Sequence, residues 1–344
     1  MNPTAHRKLG RSDLSVTQFG FGTAPFSGFR DTIPEDVATA TIQAAWDGGV
    51  RMFDTSPYYG YGRAELRLGA VLRDKPRADF VLSTKIGRVM HPLGRNGTPP
   101  ADWRTGGLRF VPEFDYSYDG VHRSLEQSML RLGMDIIDIV FIHDVDFWTT
   151  QDRAVLETRF SQAMDGAHKA LVELRAAGVI KAFGVGLNEA DTSARFVRAG
   201  DFDCVLLAGR YTLLEQGALA DFLPLCEQKG VGVIIGGPLN SGILATGPTD
   251  RARYNYQPPP PDIAARVGAI AAVCARHNVE LPAAALQFPL GHPAVAGIIP
   301  GAMNTGEVAG NLTLFRKPLP AALWADLRAE GLLDPSAPVP LPNT

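Results

Sequence analysis

Cysteine is scarce in this sequence: three in 344 residues, Cys204, Cys226 and Cys274, far apart and with no CxxC pair. That argues against a disulfide scaffold and against a zinc site, and no metal is expected; thiols this sparse fit a reducing compartment, packed as small apolar side chains. An excess of charge of one sign is also lacking, since 33 Lys and Arg stand against 36 Asp and Glu, for a formal net charge of −3. Nucleic acid and anionic membrane surfaces are thereby disfavoured as partners. No apolar run reaches the roughly 18 residues that cross a bilayer, and the opening segment MNPTAHRKLGRSDL has neither the apolar core of a signal peptide nor that of an anchor. A cytoplasmic protein acting on small molecules is expected, with no feature that fixes an oligomeric state. A dinucleotide fingerprint is missing as well. GFGTAPFSG and GVGLNE lack the GxGxxG spacing, which argues against a Rossmann domain.

What is present is a repeating pattern. Apolar residues make up 45% and charged residues 20%, enough for a large core without covalent staples. Short apolar, β-rich runs fall at 19–23, 51–55, 80–86, 136–143, 182–187, 204–208, 231–236 and 294–299. Amphipathic helical runs separate them at 35–47, 64–72, 122–132, 166–176, 190–197, 218–228, 263–276 and 305–314, several of them stopping at glycine. Strand–helix alternation implies a parallel sheet with right-handed crossovers, and eight such units close a barrel. The expected fold is α/β, a (β/α)8 TIM barrel spanning 1–344 as one domain; an open doubly wound sheet is the rival. Long loops at 87–119 and 144–164 leave strands three and four on the face where barrels build their sites. Their aromatic residues, Trp103 and Trp148 among them, are expected to wall a substrate site.

Three successive strand ends carry ionisable side chains: Asp54 in RMFDTSPYYG, Lys85 in VLSTKIG and His143 in IVFIHD, with Tyr59 five residues beyond Asp54. Singly, each has an ordinary explanation, as a turn cap, a solvated charge, a structural histidine or a loop aromatic. Jointly they can converge on one rim. Free tyrosine is a poor base near neutrality. A lysine ammonium beside the phenol would lower its pKa, Asp54 would orient that lysine, and neutral His143 would hydrogen-bond a substrate oxygen. The expected chemistry interconverts an alcohol and a carbonyl. Backbone N–H groups of the glycine-rich segments GGPLNSG (236–242) and PGAMNTGEVAGN (300–311), after strands seven and eight, suit phosphate binding.

The segments FDTSPYYG, STK and IHD resemble the catalytic motifs of the aldo-keto reductases, and the resemblance runs from KLGRSDLSVTQFGFGT to IIPGAMNTGEVAGN. It implies a nicotinamide-dependent oxidoreductase with Asp54, Tyr59, Lys85 and His143 as its catalytic group and Tyr59 as proton donor or acceptor. It implies cofactor contacts from Asn188 (carboxamide), from Pro238, Leu239, Ser241 and Gly242 (pyrophosphate loop), and from Gly301, Met303, Asn304, Glu307 and Asn311 (around the adenosine). Gly22, Thr23 and Asp54 at the first strand ends complete the set, and Tyr59, His143, Trp103 and Trp148 are implied substrate contacts. The chain departs from the family at Ala208, where a carboxamide-binding glutamine is usual, and the role of the nearby Tyr211 stays open. Members that prefer NADP place Arg or Lys where this chain has Met303 and Asn304. Glu307 would repel a 2′-phosphate but accept from ribose hydroxyls, so NAD is expected in preference to NADP. GVGLNE and LLAGRYTLLEQ are similar to the branch that contains aldose dehydrogenases for L-fucose and D-threo-aldoses, and also pyridoxal 4-dehydrogenases. Oxidation of a cyclic hemiacetal to a lactone is the shared expectation. An NADPH-dependent aldehyde reductase, a Schiff-base aldolase using Lys85 and a cofactor-binding regulatory subunit are the alternatives.

Overall fold

The computed structural model describes residues 1–28, 32–99 and 106–340. Its first element is a small antiparallel hairpin of β1 (His6–Lys8) and β2 (Ser15–Thr17). Eight parallel strands follow: β3 (Phe21–Gly22), β4 (Met52–Asp54), β5 (Val81–Ile86), β8 (Ile139–His143), β9 (Ala182–Leu187), β10 (Cys204–Ala208), β11 (Gly232–Gly236) and β12 (Val295–Ile299). Each pairs with its neighbour in this order, and bridges from Phe19 to Ile298 and from Gly22 to Gly301 join last to first. The Gly20 N–H donates to Ile298 O at 2.8 Å and the Gly22 N–H to Pro300 O at 3.1 Å. The ring of strands is a barrel, as the alternation of runs predicts.

Side chains alternate along each strand, so one parity fills the barrel interior. Met52, Ile139, Phe141, Ala182, Cys204, Leu206 and Ile234 form that inner layer together with Leu9, Leu14 and Val16 of the hairpin region. The hairpin therefore plugs the amino end of the barrel, and Arg7 latches it there by donating to Leu290 O and Val295 O at 2.8 and 3.0 Å. Only the carboxyl end stays open. Burying a side chain such as Phe141 stabilises the fold by roughly 1.5–3 kcal/mol.

The outer layer matches the helical pattern closely at α1 (Glu35–Asp47), α2 (Arg63–Leu72), α7 (Ala190–Ala199), α10 (Pro261–Arg276) and α12 (Thr305–Arg316). Helix α3 (Tyr118–Leu132) begins four residues earlier than its periodicity suggests, because Ser117 caps it by accepting from the Gly120 N–H at 3.1 Å. Strand β8 begins three residues later than its apolar run, because the Asp138 carboxylate takes the Leu82 N–H at 2.9 Å. Helix α8 (Phe222–Lys229) is preceded by a separate 3-10 turn, Gly217–Leu219.

The two long loops need correction. Residues after β5 form a second hairpin, β6 (Arg88–Pro92) with β7 (Phe110–Phe114), pinned to α3 by Gln127 on both backbone groups of Met90. Residues after β8 form α4 (Phe147–Thr150) and α5 (Arg153–Gln162), which passes through a π segment, Ala163–Ala167, into α6 (His168–Ala176). Asp146 and Asp152 cap α4 and α5 through their side chains. Three further helices, α9 (Ile243–Thr246), α11 (Leu281–Gln287) and α13 (Ala321–Ala329), have no counterpart in the sequence reading.

Candidate active site

The parity that fills the barrel also sets the site. On β4 the inward residue after Met52 is Asp54; on β8 His143 follows Ile139 and Phe141; on β5 Lys85 follows Ser83. All three lie at the open end and are nearly inaccessible to solvent. Lys85 Nζ donates to Asp54 Oδ2 at 2.7 Å and to Thr55 O at 2.8 Å, and Ser83 Oγ donates to Asp54 Oδ1 at 2.8 Å. The loop after β4 folds Tyr59 over this pair, with its ring centroid 4.7 Å from Lys85 Nζ and 6.1 Å from the His143 ring. Tyr59, Lys85 and His143 line one cavity of about 260 Å³, with Asp54 bonded to Lys85.

The electrostatics differ from the sequence expectation in one respect. The Tyr59 phenol is held well above its ordinary value, by burial first and then by Asp54, Tyr256 and Asp144, against an opposing effect of Arg88. The lysine does not lower it here, because the Lys85 ammonium faces Asp54, whose negative charge reaches the phenol as well. His143 moves as expected: burial, and then the charges of Arg88 and Lys85, hold the imidazole well below its usual value and so neutral. The Asp54 carboxyl is pushed up by burial, against the pull of Lys85 and Ser83.

The cavity walls come from Tyr58, Trp148, Thr149, Leu187, Asn188, Leu206, Ala208 and Tyr256, with Gly186 in the floor. Trp148 thus stands at the mouth as expected, whereas Trp103 falls outside the described residues. Tyr211 is fully buried against Phe288 and His292 and lines no part of the cavity. Arg88, Asp144 and Tyr256 of the wall, and Ser56 at 3.3 Å from His143 Nδ1, are among the residues that escaped the sequence reading. Arg88 was hidden in a segment read as loop, Asp144 was quoted in IHD only as a flank, Ser56 sits within DTSPYY, and Tyr256 arrives from a distant turn. Arg88 donates to Asp144 Oδ2 at 2.7 Å and lies over the rings of Tyr58 and Phe114.

The residues expected to hold a nicotinamide dinucleotide occupy the same rim. Thr23 donates from N and Oγ1 to Asp54 O, both at 3.0 Å, tying the first strand end to the second. Gly22 is bridged to Gly301, where an added Cβ would come within 2.5 Å of Pro25. Asn188 donates through Nδ2 to Asp146 Oδ2 at 3.1 Å and to Asp144 Oδ1 at 3.4 Å. After β11 and the buried Pro238, Leu239 leads into three successive left-handed residues, Asn240, Ser241 and Gly242. Such backbone is kept where a ligand clamp needs it. Asn240 Oδ1 is buried without a partner, and Gly186 and Ala208 leave space that larger side chains would fill. An orphaned acceptor, an uncrowded floor and a turned glycine-rich loop fit a bound dinucleotide.

At the start of α12, Asn304 Oδ1 accepts from the Glu307 N–H at 2.9 Å, while the Glu307 carboxylate accepts from Met303 N at 2.9 Å and Asn304 Nδ2 at 3.2 Å. This is a reciprocal cap, so Glu307 is engaged in the helix start and Asn311 follows one turn along the same helix. Asn304→Ala is expected to cost about 1 kcal/mol, read as a lower urea midpoint at unchanged slope. Beyond it, Arg316 donates to Gly48 O at 3.4 Å and Lys317 pairs with Glu280.

Comparison with known proteins accords with this geometry. Residues 18–330 match the profile of the Aldo/keto reductase family. Over 336 residues the chain is 42% identical to a pyridoxal 4-dehydrogenase of Microbacterium luteolum, covering 95% of this chain and 97% of that protein. It is 38% identical over 329 residues to a D-threo-aldose 1-dehydrogenase of a Pseudomonas species, covering 94% and 96%. In fold it is similar to the holo form of the aldo-keto reductase AKR11C1 from Bacillus halodurans, with a TM-score of 0.73 at 22% identity, covering 97% and 98%. Barrel, cavity and relatives agree: the chain belongs to the aldo/keto reductase family and is a nicotinamide-dependent oxidoreductase.

Proposed function

We propose that this protein is an NAD-dependent dehydrogenase, working in the cytoplasm as one barrel domain, that oxidises the cyclic hemiacetal of an aldose such as L-fucose or another D-threo-aldose to its lactone. The observation that carries the reading is a tyrosine over a lysine that is paired with Asp54, and beside a histidine, with Tyr59, Lys85 and His143 lining one small cavity. When bound, the nicotinamide supplies the carbon that accepts hydride. The anomeric hydroxyl hydrogen-bonds His143, which lends a proton to the bond without adding charge. Tyr59 takes the hydroxyl proton as the C–H bond gives up its hydride and the C–O bond becomes a carbonyl. The phenolate form of Tyr59 receives the proton, with Lys85 against its ring and Asp54 holding Lys85. Binding energy from the walls aligns the reacting atoms.

Absence of a cation supports NAD. No Lys or Arg lies between Gly301 and Asn311, and the basic residues just beyond are committed to Gly48 and Glu280. A second reading, oxidation of the pyridoxal hemiacetal, is favoured by the 42% identity to a pyridoxal 4-dehydrogenase and by the aromatic walls Trp148, Tyr58 and Tyr256, which suit a flat ring.

The test is initial-rate reduction of NAD and, in parallel, NADP with L-fucose, D-arabinose, L-galactose and pyridoxal. NADH formation with a sugar, and much slower NADPH formation, is expected. Reaction with pyridoxal alone selects the second reading. Carbonyl reduction by NADPH with no NAD-linked oxidation overturns both.

A further inference from the structure

Arg88 is the least expected charge in the cavity. It is 3% exposed, sits at the root of the β6–β7 hairpin opposite Phe114, and its carbonyl is held by Ser124 Oγ at 3.0 Å. Its Nη2 donates to Asp144 Oδ2 at 2.7 Å, and its Nη1 lies 3.2 Å from His143 Nδ1. A guanidinium has no acceptor and does not deprotonate in proteins. The contact therefore has one chemical sense: Nη1 donates, and Nδ1 offers its lone pair.

We infer that Arg88 is a positioning residue that fixes His143 in the tautomer bearing its proton on Nε2, the only ring nitrogen left to donate to a reacting oxygen. The inference rests on the proposed role of His143 in the oxidation. Ser56 Oγ, 3.3 Å from the same Nδ1, can donate to it as well. On the other side Nε2 lies 3.3 Å from Asp144 Oδ1, an acceptor that suits an Nε2–H. The Arg88–Asp144 pair thus places a donor at Nδ1 and a carboxylate oxygen near Nε2. A substrate hydroxyl takes the Nε2–H without changing the tautomer. Asp144 itself has a left-handed backbone conformation (φ 58°), a cost of the kind kept at functional sites.

The groups facing His143 are Ser56 and Tyr59 from the loop after β4, Lys85 from β5, Arg88 from β6 and Asp144 next in the chain. The Tyr116 hydroxyl donates to the His143 carbonyl at 2.7 Å, and β9 presents the uncharged Gly186 and Leu187 to the cavity. Two cations, Arg88 and Lys85, therefore oppose protonation of the ring. One of them is already neutralised by Asp54, the other by Asp144, so removing Arg88 frees Asp144 to stabilise an imidazolium.

The test is a two-bond nitrogen–proton spectrum of the full chain with 15N-labelled histidine, with the His143 signals identified by their loss in His143→Gln. In the unsubstituted protein Nδ1 should resonate as a bare ring nitrogen and Nε2 as a protonated one, unchanged from pH 8 to pH 5.5. A protonated Nδ1 there overturns the proposal without any variant. In Arg88→Met, His143 should titrate within that range and populate both tautomers. Arg88→Gln, which keeps a donor but no charge, should keep the tautomer while the ring titrates. A folded Arg88→Met or Arg88→Gln with an unaltered His143 spectrum overturns the proposal, and where Arg88→Met does not fold the Gln variant decides. In turnover, Arg88→Gln should gain an acid limb in kcat, with a loss of roughly 10²-fold at its low-pH end, while KM changes less. Should the unsubstituted protein oxidise no hemiacetal yet show the expected spectra, the assigned activity fails and the tautomer assignment stands.

Discussion

Tyr59→Phe lowers the rate of hemiacetal oxidation by roughly 10³-fold and leaves cofactor affinity largely unchanged. The substitution removes one oxygen and keeps the ring that stacks on Lys85 and packs at 6.1 Å from His143, so the cavity keeps its shape. What is lost is the only phenol positioned between the lysine and the histidine. The pH dependence makes the expectation more specific. Burial and Asp54 hold the Tyr59 phenol well above its ordinary value, so below that value the phenolate fraction rises tenfold per pH unit. Oxidation should accelerate with pH across the neutral and mildly alkaline range, and the slope should vanish in the variant. Steady-state NADH formation measures the first effect and quenching of protein fluorescence by NADH the second. Near-normal turnover in the variant removes Tyr59 from the mechanism.

Lys85→Met should be the costliest single change to stability at the site, about 3–5 kcal/mol. Lys85 is 1% exposed and Asp54 2%. Removing the ammonium leaves a carboxylate with Ser83 as its one remaining side-chain donor. The sign of the pH effect follows. Burial already pushes the Asp54 carboxyl up, and without Lys85 the folded state holds the proton to still higher pH than the unfolded chain does. The deficit is then smallest well below the ordinary carboxylate value of 3.8, where both states are protonated, and grows as pH rises through the range in which only the unfolded chain is ionised. Adding Asp54→Asn removes the unpaired charge and should recover most of the loss, without restoring turnover. Urea unfolding of both variants at two pH values tests this. A double variant no more stable than Lys85→Met alone would show that the pair does not interact as its 2.7 Å contact requires.

The fold was legible because the barrel follows from repetition. Each strand–helix unit carries its own apolar period, and small errors at its ends leave the count of eight intact. The boundary errors came from single polar side chains: Asp138 delaying a strand by taking an N–H of its neighbour, Ser117 starting a helix early by capping it. The N-terminal plug strands, each three residues long, are too short to show a period. Asp54, Lys85 and His143 were legible for the same reason as the strands, since a residue two positions beyond an inward side chain also points inward. Arg88 and Tyr256 were not, because nothing local marks which residues of a hairpin or a distant turn fold back over the mouth. The elevated Tyr59 was missed because spacing reveals that a lysine is near but not how deeply the phenol is buried, which is the larger effect.

The seam between the first and last strands bears on the order in which the molecule assembles. The bonds from Gly20 to Ile298 and from Gly22 to Pro300 join segments nearly a full chain apart, as does the latch of Arg7 on Leu290 and Val295. Contacts at such separation repay their loop-closure entropy last. On an elongating ribosomal product the edge of β3 waits, unpaired and open to foreign strands, until β12 has been made. Gly22 and Thr23 stand on that edge, so the rim proposed to receive the cofactor is completed by the same event that seals the barrel.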